Sequence, residues 1–262
     1  MPDASPLRVA VVGASAGLGR CIGMGLSKKG ARVAFLARRL DRLVNAAKDA
    51  GNGATAVAVD VTDGDTCQRA MAQVVEEFGG LDALVYTTGV GILGPLAEMT
   101  ADQWGNLFAT NVTGASLITA AAAPHLAAAA GSAVYLSSLS ASYSAPWPLL
   151  GAYAVSKAAL DKLVEAWRIE HPNIGFTRLA VGDCFGGEGD SQTEFNKAWD
   201  PEALEKAIRY WMEHGYMQGG LVEADHLVHM VHSVLACGNS SFIPHLTLAP
   251  RPSGAVAELR QW

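Results

Sequence analysis

The chain has 262 residues, half of them hydrophobic and only 17% charged, a balance that fits one α/β domain with a sizeable core and excludes extended disorder. A formal net charge of -6 and an isoelectric point near 5.6 speak against a nucleic-acid surface or attraction to an anionic membrane. Cys21, Cys67, Cys184 and Cys237 form no C-x-x-C pair, which predicts free thiols in a reducing compartment and neither a disulfide frame nor a zinc site.

Residues 1–7 contain neither a basic n-region nor a long apolar run, so no signal peptide is expected. Val9–Val12 then read as a short buried strand, and Gly13-Ala-Ser-Ala-Gly17-Leu-Gly19 as a glycine turn that opens a helix. Without side chains at Gly13, Gly17 and Gly19, a ligand can approach the backbone. The unpaired N–H groups of a helix N-terminus suit a pyrophosphate there. A glycine-rich βα loop without a ligand is the alternative for this stretch alone. The G-x-x-x-G-x-G spacing resembles that of the short-chain dehydrogenases/reductases. That resemblance implies dinucleotide contacts at Gly13, Ser15, Gly17, Leu18 and Gly19.

Leu18–Lys29 read as a helix ended by Gly30, and Arg32–Ala37 as a second strand. Arg38 and Arg39 follow directly, with no acid at the strand tip. A carboxylate there would hold the ribose hydroxyls of NAD, whereas an Arg suits a 2′-phosphate. Arg38 is therefore a candidate phosphate ligand, the alternative being a solvated surface pair. Some family members carry a second basic residue before the middle glycine; Ala16 stands there, with Ser15 the nearer polar group, so the preference for NADP rests on Arg38.

Leu40–Asp49 read as a helix, Gly51 and Gly53 as a break, and Ala54–Val59 as a third strand with Asp60-Val61-Thr62 at its tip. The resemblance implies that Asp60 and Val61 flank the adenine; Thr62 or Asp63 would cap the helix running to Phe78. Leu81–Tyr86 form a fourth strand leading into Thr87-Thr88-Gly89. The family usually has Asn-Asn-Ala-Gly here, so Gly89 is kept as a cofactor contact and threonine hydroxyls stand in for the asparagines. Thr100–Ala130 are mostly helical, with a kink or break expected at Pro124. The alanine-rich run before Gly131 contains Pro124 and His125 and is not read as a membrane span. Asn111 lies mid-helix, where Asn is a mediocre former. Asn111-Val112-Thr113-Gly114 matches the family's N-V-x-G, which implies a catalytic Asn holding a water that relays protons to the active-site Lys.

Ala133–Leu136 are a fifth strand ending in Ser137-Ser138-Leu139-Ser140, which places hydroxyls in the cleft beyond the strand ends; strand-terminating serines are the plain alternative. Tyr153 and Lys157 open a helix reaching about His171. At i and i+4 they share a face, about 5–6 Å apart at Cβ, and an adjacent ammonium is expected to lower the phenol pKa from about 10. With the preceding motifs in order, the chain over about residues 8–181 is identified as similar to the short-chain dehydrogenases/reductases. The resemblance assigns Asn111, Tyr153, Lys157 and one serine to catalysis. The family's usual spacing selects Ser140; position at the strand end selects Ser138, which is preferred.

Gly175–Val181 are a sixth strand. Gly182-Asp183-Cys184 replaces the family's Pro-Gly, and no residue is carried over from this loop. Asp183 reads as a turn residue rather than a catalytic one, and Cys184 has no evident base. Phe195, Trp199, Tyr210, Trp211, Met212, Tyr216 and Met217 occupy the place of the family's substrate-covering segment, though core or interface packing would explain them equally. In a last helix over Glu223–Cys237, His226, His229 and His232 lack the partners of a metal set. Ser241–Leu248 would be an edge strand, and the tail from Pro250 loose.

The expected architecture over 1–262 is a single doubly wound, Rossmann-type parallel sheet with helices on both faces and a substrate-covering segment at about 183–220. The resemblance implies reversible hydride transfer between NADP(H) and a carbonyl/alcohol pair, with Ser138 bonding the carbonyl oxygen and Tyr153 donating the proton. Lys157 would lower the Tyr pKa and hold the nicotinamide ribose. An apolar or aromatic ketone or secondary alcohol suits the aromatic segment. No metal, nucleic acid or membrane partner is expected, and a cytoplasmic homodimer or homotetramer is. The alternatives are an NAD-linked alcohol dehydrogenase and a non-catalytic dinucleotide-binding regulator on the same fold.

Overall fold

In a computed structural model, residues 6–251 are described except 188, 218, 219 and 239; the tail expected to be loose lies largely outside the described residues. The order is β1 (Arg8–Val12), α1 (Gly17–Lys28), β2 (Arg32–Ala37), α2 (Leu40–Ala50), β3 (Thr55–Ala58), α3 (Gly64–Phe78) and β4 (Ala83–Tyr86). Then follow α4 (Ala101–Phe108), α5 (Gly114–Ala129), β5 (Ser132–Ser138), α6 (Leu139–Ser142), α7 (Gly151–Glu170), β6 (Gly175–Val181), α8 (Pro201–Glu213), α9 (Ala224–Leu235) and β7 (His245–Leu248). The strands form one sheet in the order β3-β2-β1-β4-β5-β6-β7, and every pair is parallel. Between β1 and β4 the winding reverses, which opens a crevice beyond the carboxyl ends of the strands.

Strand alternation divides the core. Val9 and Val11 point to one face, where they join Ile22, Leu26, Leu43 and Val231. Ala10 and Val12 point to the other, with Met71, Val74, Ile118 and Leu160. Being buried on both faces, β1 reads as continuous apolar sequence and not as alternation. Arg8, just before that run, grips Asp82 through Nε (2.8 Å) and Nη2 (2.7 Å), which pins β1 beside β4. Of the two residues expected to cap α3, Thr62 and Asp63, it is Asp63 that does so, its carboxylate accepting from Asp65 N and Thr66 N.

The long helix differs from expectation. It is interrupted by a π-helical turn at Ala109–Thr113, whereas Pro124 lies inside an unbroken α5. Pro124 and Ala120, whose carbonyl loses its i+4 partner, both lie on the exposed side, so water can satisfy that carbonyl. Ala101–Ala129 taken together are long and apolar enough to cross a membrane by length and composition; in this fold α5 packs against α3 and β4. Along α9 the buried face is Leu227, Val228, Val231, Val234 and Leu235, which leaves His226 and His229 exposed and His232 partly so.

Candidate active site

One cleft of about 980 Å³ runs along the carboxyl ends of the strands, lined by the glycine turn, the tips of β2 and β3, the β4 and β5 ends, the start of α7 and the segment after β6. Gly13, at φ +93, sits against β4: a Cβ there would lie 2.6 Å from Thr87 Oγ1 and 2.8 Å from Thr88 N. Thr87 Oγ1 itself donates to Val12 O at 2.7 Å, so a threonine does tie the two central strands. At Gly19 a Cβ would meet Gly13 O at 2.4 Å. The N-terminus of α1 has no side-chain cap and no acid in its first turn, which leaves its N–H groups available to an anion.

At this end Ser15 is buried, and its Oγ accepts from Arg39 Nη2 at 2.8 Å. Arg38 is exposed at the rim. Arg39, which the sequence reading left without a role, is the guanidinium that reaches the turn. The Asp60 carboxylate accepts from Thr62 N (3.0 Å) and Thr62 Oγ1 (2.8 Å). Those two bonds, with Arg38 nearby, hold it below the usual carboxylate range. Val61 is buried against Gly114, where a Cβ would come within 2.7 Å of Val61 Cγ2, so the glycine of the N-V-x-G run is required by packing.

The other end gathers Gly89, Asn111, Ser138, Tyr153 and Lys157. A Cβ on Gly89 would lie 3.3 Å from Lys157 Nζ and 3.7 Å from Asn111 Oδ1. Asn111 is fully buried in the π turn. It accepts from Val90 N and donates to Val90 O and Ser156 Oγ, each at 2.9 Å. Both its amide donors are therefore engaged in clamping the Gly89 loop to α7.

Ser138 ends β5 in extended conformation and caps α6, accepting from Ser140 N at 3.3 Å; its hydroxyl is 2.9 Å from Ser140 Oγ. Burial pushes the Tyr153 phenol up to about 12, with the Ser138 hydroxyl pulling it partly back. Ser138, Ser140 and Tyr153 all line the cleft, and of the two serines it is the Ser138 hydroxyl that acts on the phenol. Lys157 departs from expectation: its Nζ donates to Leu136 O at 2.8 Å and lies 5.9 Å from the Tyr153 ring centroid. Burial lowers the Lys157 ammonium to about 8 against the opposing charge of Asp161. Desolvation, and not the ammonium, dominates the tyrosine.

The segment after β6 closes over this end. The Phe195 ring meets Tyr153 edge-on at 5.0 Å, and Trp199 packs on Phe195 at 5.2 Å. Trp199 Nε1 donates to Gly91 O at 2.8 Å. Gly91, unremarked in the sequence, leaves room for Phe195, whose ring a Cβ would overlap. Trp211 is buried, packs at a tilt against Trp147 with ring centroids 5.0 Å apart and donates to Pro148 O at 2.9 Å. Tyr210 and Met212 face solvent, so the aromatic stretch serves both lining and packing. Thr193, in the loop after β6 from which no role was carried over, lies 3.6–3.9 Å from the position of a Cβ on Gly17. Asp183 does bond Val222 N through its carbonyl at 2.7 Å, but it also lines the cleft, where burial lifts its carboxyl to about 6. Burial pushes the Cys184 thiol up to about 12, the direction of an inert thiol.

The short chain dehydrogenase family model matches residues 8–184. A short chain dehydrogenase of Pseudocercospora fijiensis is 33% identical over 204 residues, 75% of this chain and 65% of that one. A serine 3-dehydrogenase of Agrobacterium fabrum is 32% identical over 219 residues, 78% of this chain and 86% of its own. A short-chain type dehydrogenase/reductase from Mycobacterium marinum has the same fold, with a TM-score of 0.80 at 25% identity over 94% of this chain and 95% of its own. The chain spans 58–65% of the length of the first curated relatives it matches.

Proposed function

Because the chain belongs to the short-chain dehydrogenase/reductase family, we propose that it is an oxidoreductase moving a hydride between NADP(H) and a carbonyl/alcohol pair. A nicotinamide dinucleotide is the cofactor typical of the family. The residues present suit one: an uncapped helix N-terminus behind Gly13 and Gly17, Asp60 and Val61 on the adenine side, and Gly89, Tyr153 and Lys157 toward the ribose. Arg38 and Arg39 favour the phosphorylated form. When bound, the nicotinamide supplies or accepts the hydride.

The carrying observation is that Ser138 and Tyr153 stand together at the reaction end of the cleft that holds the glycine turn at its other end. Ser138 Oγ would donate to the substrate oxygen. Tyr153, whose phenol burial raises to about 12, carries its proton through the neutral range and would donate it to that oxygen during reduction, with less driving force than a pKa near the working pH would give. Lys157, anchored on Leu136 O, carries its positive charge below about pH 8 and would hold the ribose hydroxyls. Asn111 fixes the Gly89–Val90 loop beneath them. Phe195, Trp199 and Trp147 line the reaction end and favour an apolar or aromatic ketone or secondary alcohol. A cytoplasmic homodimer or homotetramer fits four free thiols and the exposed Val155 and Ile169 on α7.

The test follows oxidation of NADPH, and of NADH in parallel, over a panel of such carbonyls for the parent and Tyr153→Phe. Turnover by the parent that is reduced at least a hundredfold in the variant supports the reading. Equal turnover in both refutes Tyr153 as the acid, and cofactor binding without turnover of any substrate supports the regulator instead.

A further inference from the structure

Glu194 precedes Phe195 on the substrate-covering segment, yet its carboxylate reaches the adenosine end of the cleft. It accepts from Arg39 Nη1 and, at 2.9 Å, from Arg42 Nη1, and Lys197 Nζ lies 3.4 Å away. Arg39 uses Nη2 on Ser15 in the glycine turn. Two of the three guanidiniums that follow β2, those of Arg39 and Arg42, therefore share one acceptor, supplied from across the cleft, 155 residues along the chain from Arg39. The Arg39, Arg42 and Glu194 side chains are 38%, 39% and 27% exposed, so the cluster is open to an entering anion. A 2′-phosphate needs the same forked donors as a carboxylate, and two anions on one guanidinium repel.

We propose that Glu194 is a specificity-determining residue for the cofactor: it occupies the donors of Arg39 and Arg42, and a 2′-phosphate must displace it. It therefore lowers affinity for NADP(H) relative to NAD(H), and phosphate binding detaches the substrate-covering segment from the β2 end of the cleft. The inference rests on the preceding reading of this cleft as a dinucleotide site.

The test is direct binding without turnover. Calorimetric titration of the whole protein with NADPH and NADH compares the parent with Glu194→Gln and Glu194→Ala, using adenosine 2′,5′-bisphosphate and 5′-AMP as fragment probes. Both variants should bind NADPH and the bisphosphate roughly two- to fivefold more tightly, the scale of one partly screened ion pair. NADH and 5′-AMP should change less than about twofold, and raised salt should shrink the difference. An unchanged NADPH/NADH ratio, a ratio moving toward NADH, or equal weakening of both ligands overturns the assignment. The parent's own ratio tests the NADP reading separately. A parent preferring NADH whose ratio still shifts on Glu194→Gln keeps the role of Glu194 and removes that reading; a parent preferring NADPH with an unmoved ratio does the reverse.

Discussion

Replacing Ser138 by Ala removes one hydroxyl with three separable jobs. It would donate to the developing alkoxide, and loss of one such preorganised donor costs about 2.7–4 kcal/mol, or roughly a hundred- to a thousandfold in kcat. It also caps α6, but through a long 3.3 Å bond to Ser140 N on a four-residue helix, so the stability loss should sit near the low end for caps, about 0.5 kcal/mol. Finally, it opposes the rise of the Tyr153 pKa. Without it the phenol rises further, yet remains protonated at neutral pH in both proteins, so the loss in kcat should be flat across that range. Ser140→Ala removes only the 2.9 Å bond that orients Ser138, worth about 0.5–1.5 kcal/mol or roughly two- to tenfold. Steady-state kinetics at saturating NADPH give both kcat values, and fluorescence titration checks that cofactor affinity holds. A larger loss at Ser140 than at Ser138, or two losses within a factor of ten of the parent, would refute the reasoning.

Ala130 closes α5 in the left-handed region, at φ 47 and ψ 42, where an L side chain costs about 1 kcal/mol. Ala130→Gly should gain about 0.5 kcal/mol after the added freedom of the unfolded chain is subtracted and raise Tm by about 1–2 °C; a fall in Tm would contradict the strain. Asp183 has its carboxyl raised from the ordinary 3.8 to about 6 by burial, so the native state holds its proton more tightly than the unfolded chain. Stability therefore falls as pH rises from about 4 through 6. Asp183→Asn should be more stable than the parent at pH 7 and lose that advantage below about pH 4. Urea titrations across this range decide it, and a parallel pH dependence in both proteins would refute the shift.

β1, β2, β4 and β5 were legible because each holds an apolar run bounded by glycine or polar residues, and burial on both faces demands such a run. Asp63 as a cap and Gly13 as a turn were equally local, since a cap or a positive φ is decided within a few residues. The break in the long helix was misread for the converse reason. Pro124 is a strong local signal, but the Ala120 carbonyl it leaves unpaired lies on the exposed side, while the π turn at Asn111 follows from bonds to Val90 and Ser156.

The sequence by itself determined the order of strand, glycine turn and helix, the i, i+4 placement of Tyr153 and Lys157, and hence the fold and the family. Those are properties of neighbours along the chain. Tertiary structure decided that the Ser138 hydroxyl acts on Tyr153 and that burial raises the phenol. It also set Arg39 on the glycine turn and Glu194 on Arg39 and Arg42. Each of these depends on which side chains the parallel winding brings to one end of the sheet and on how much water remains there, and neither quantity is carried by spacing.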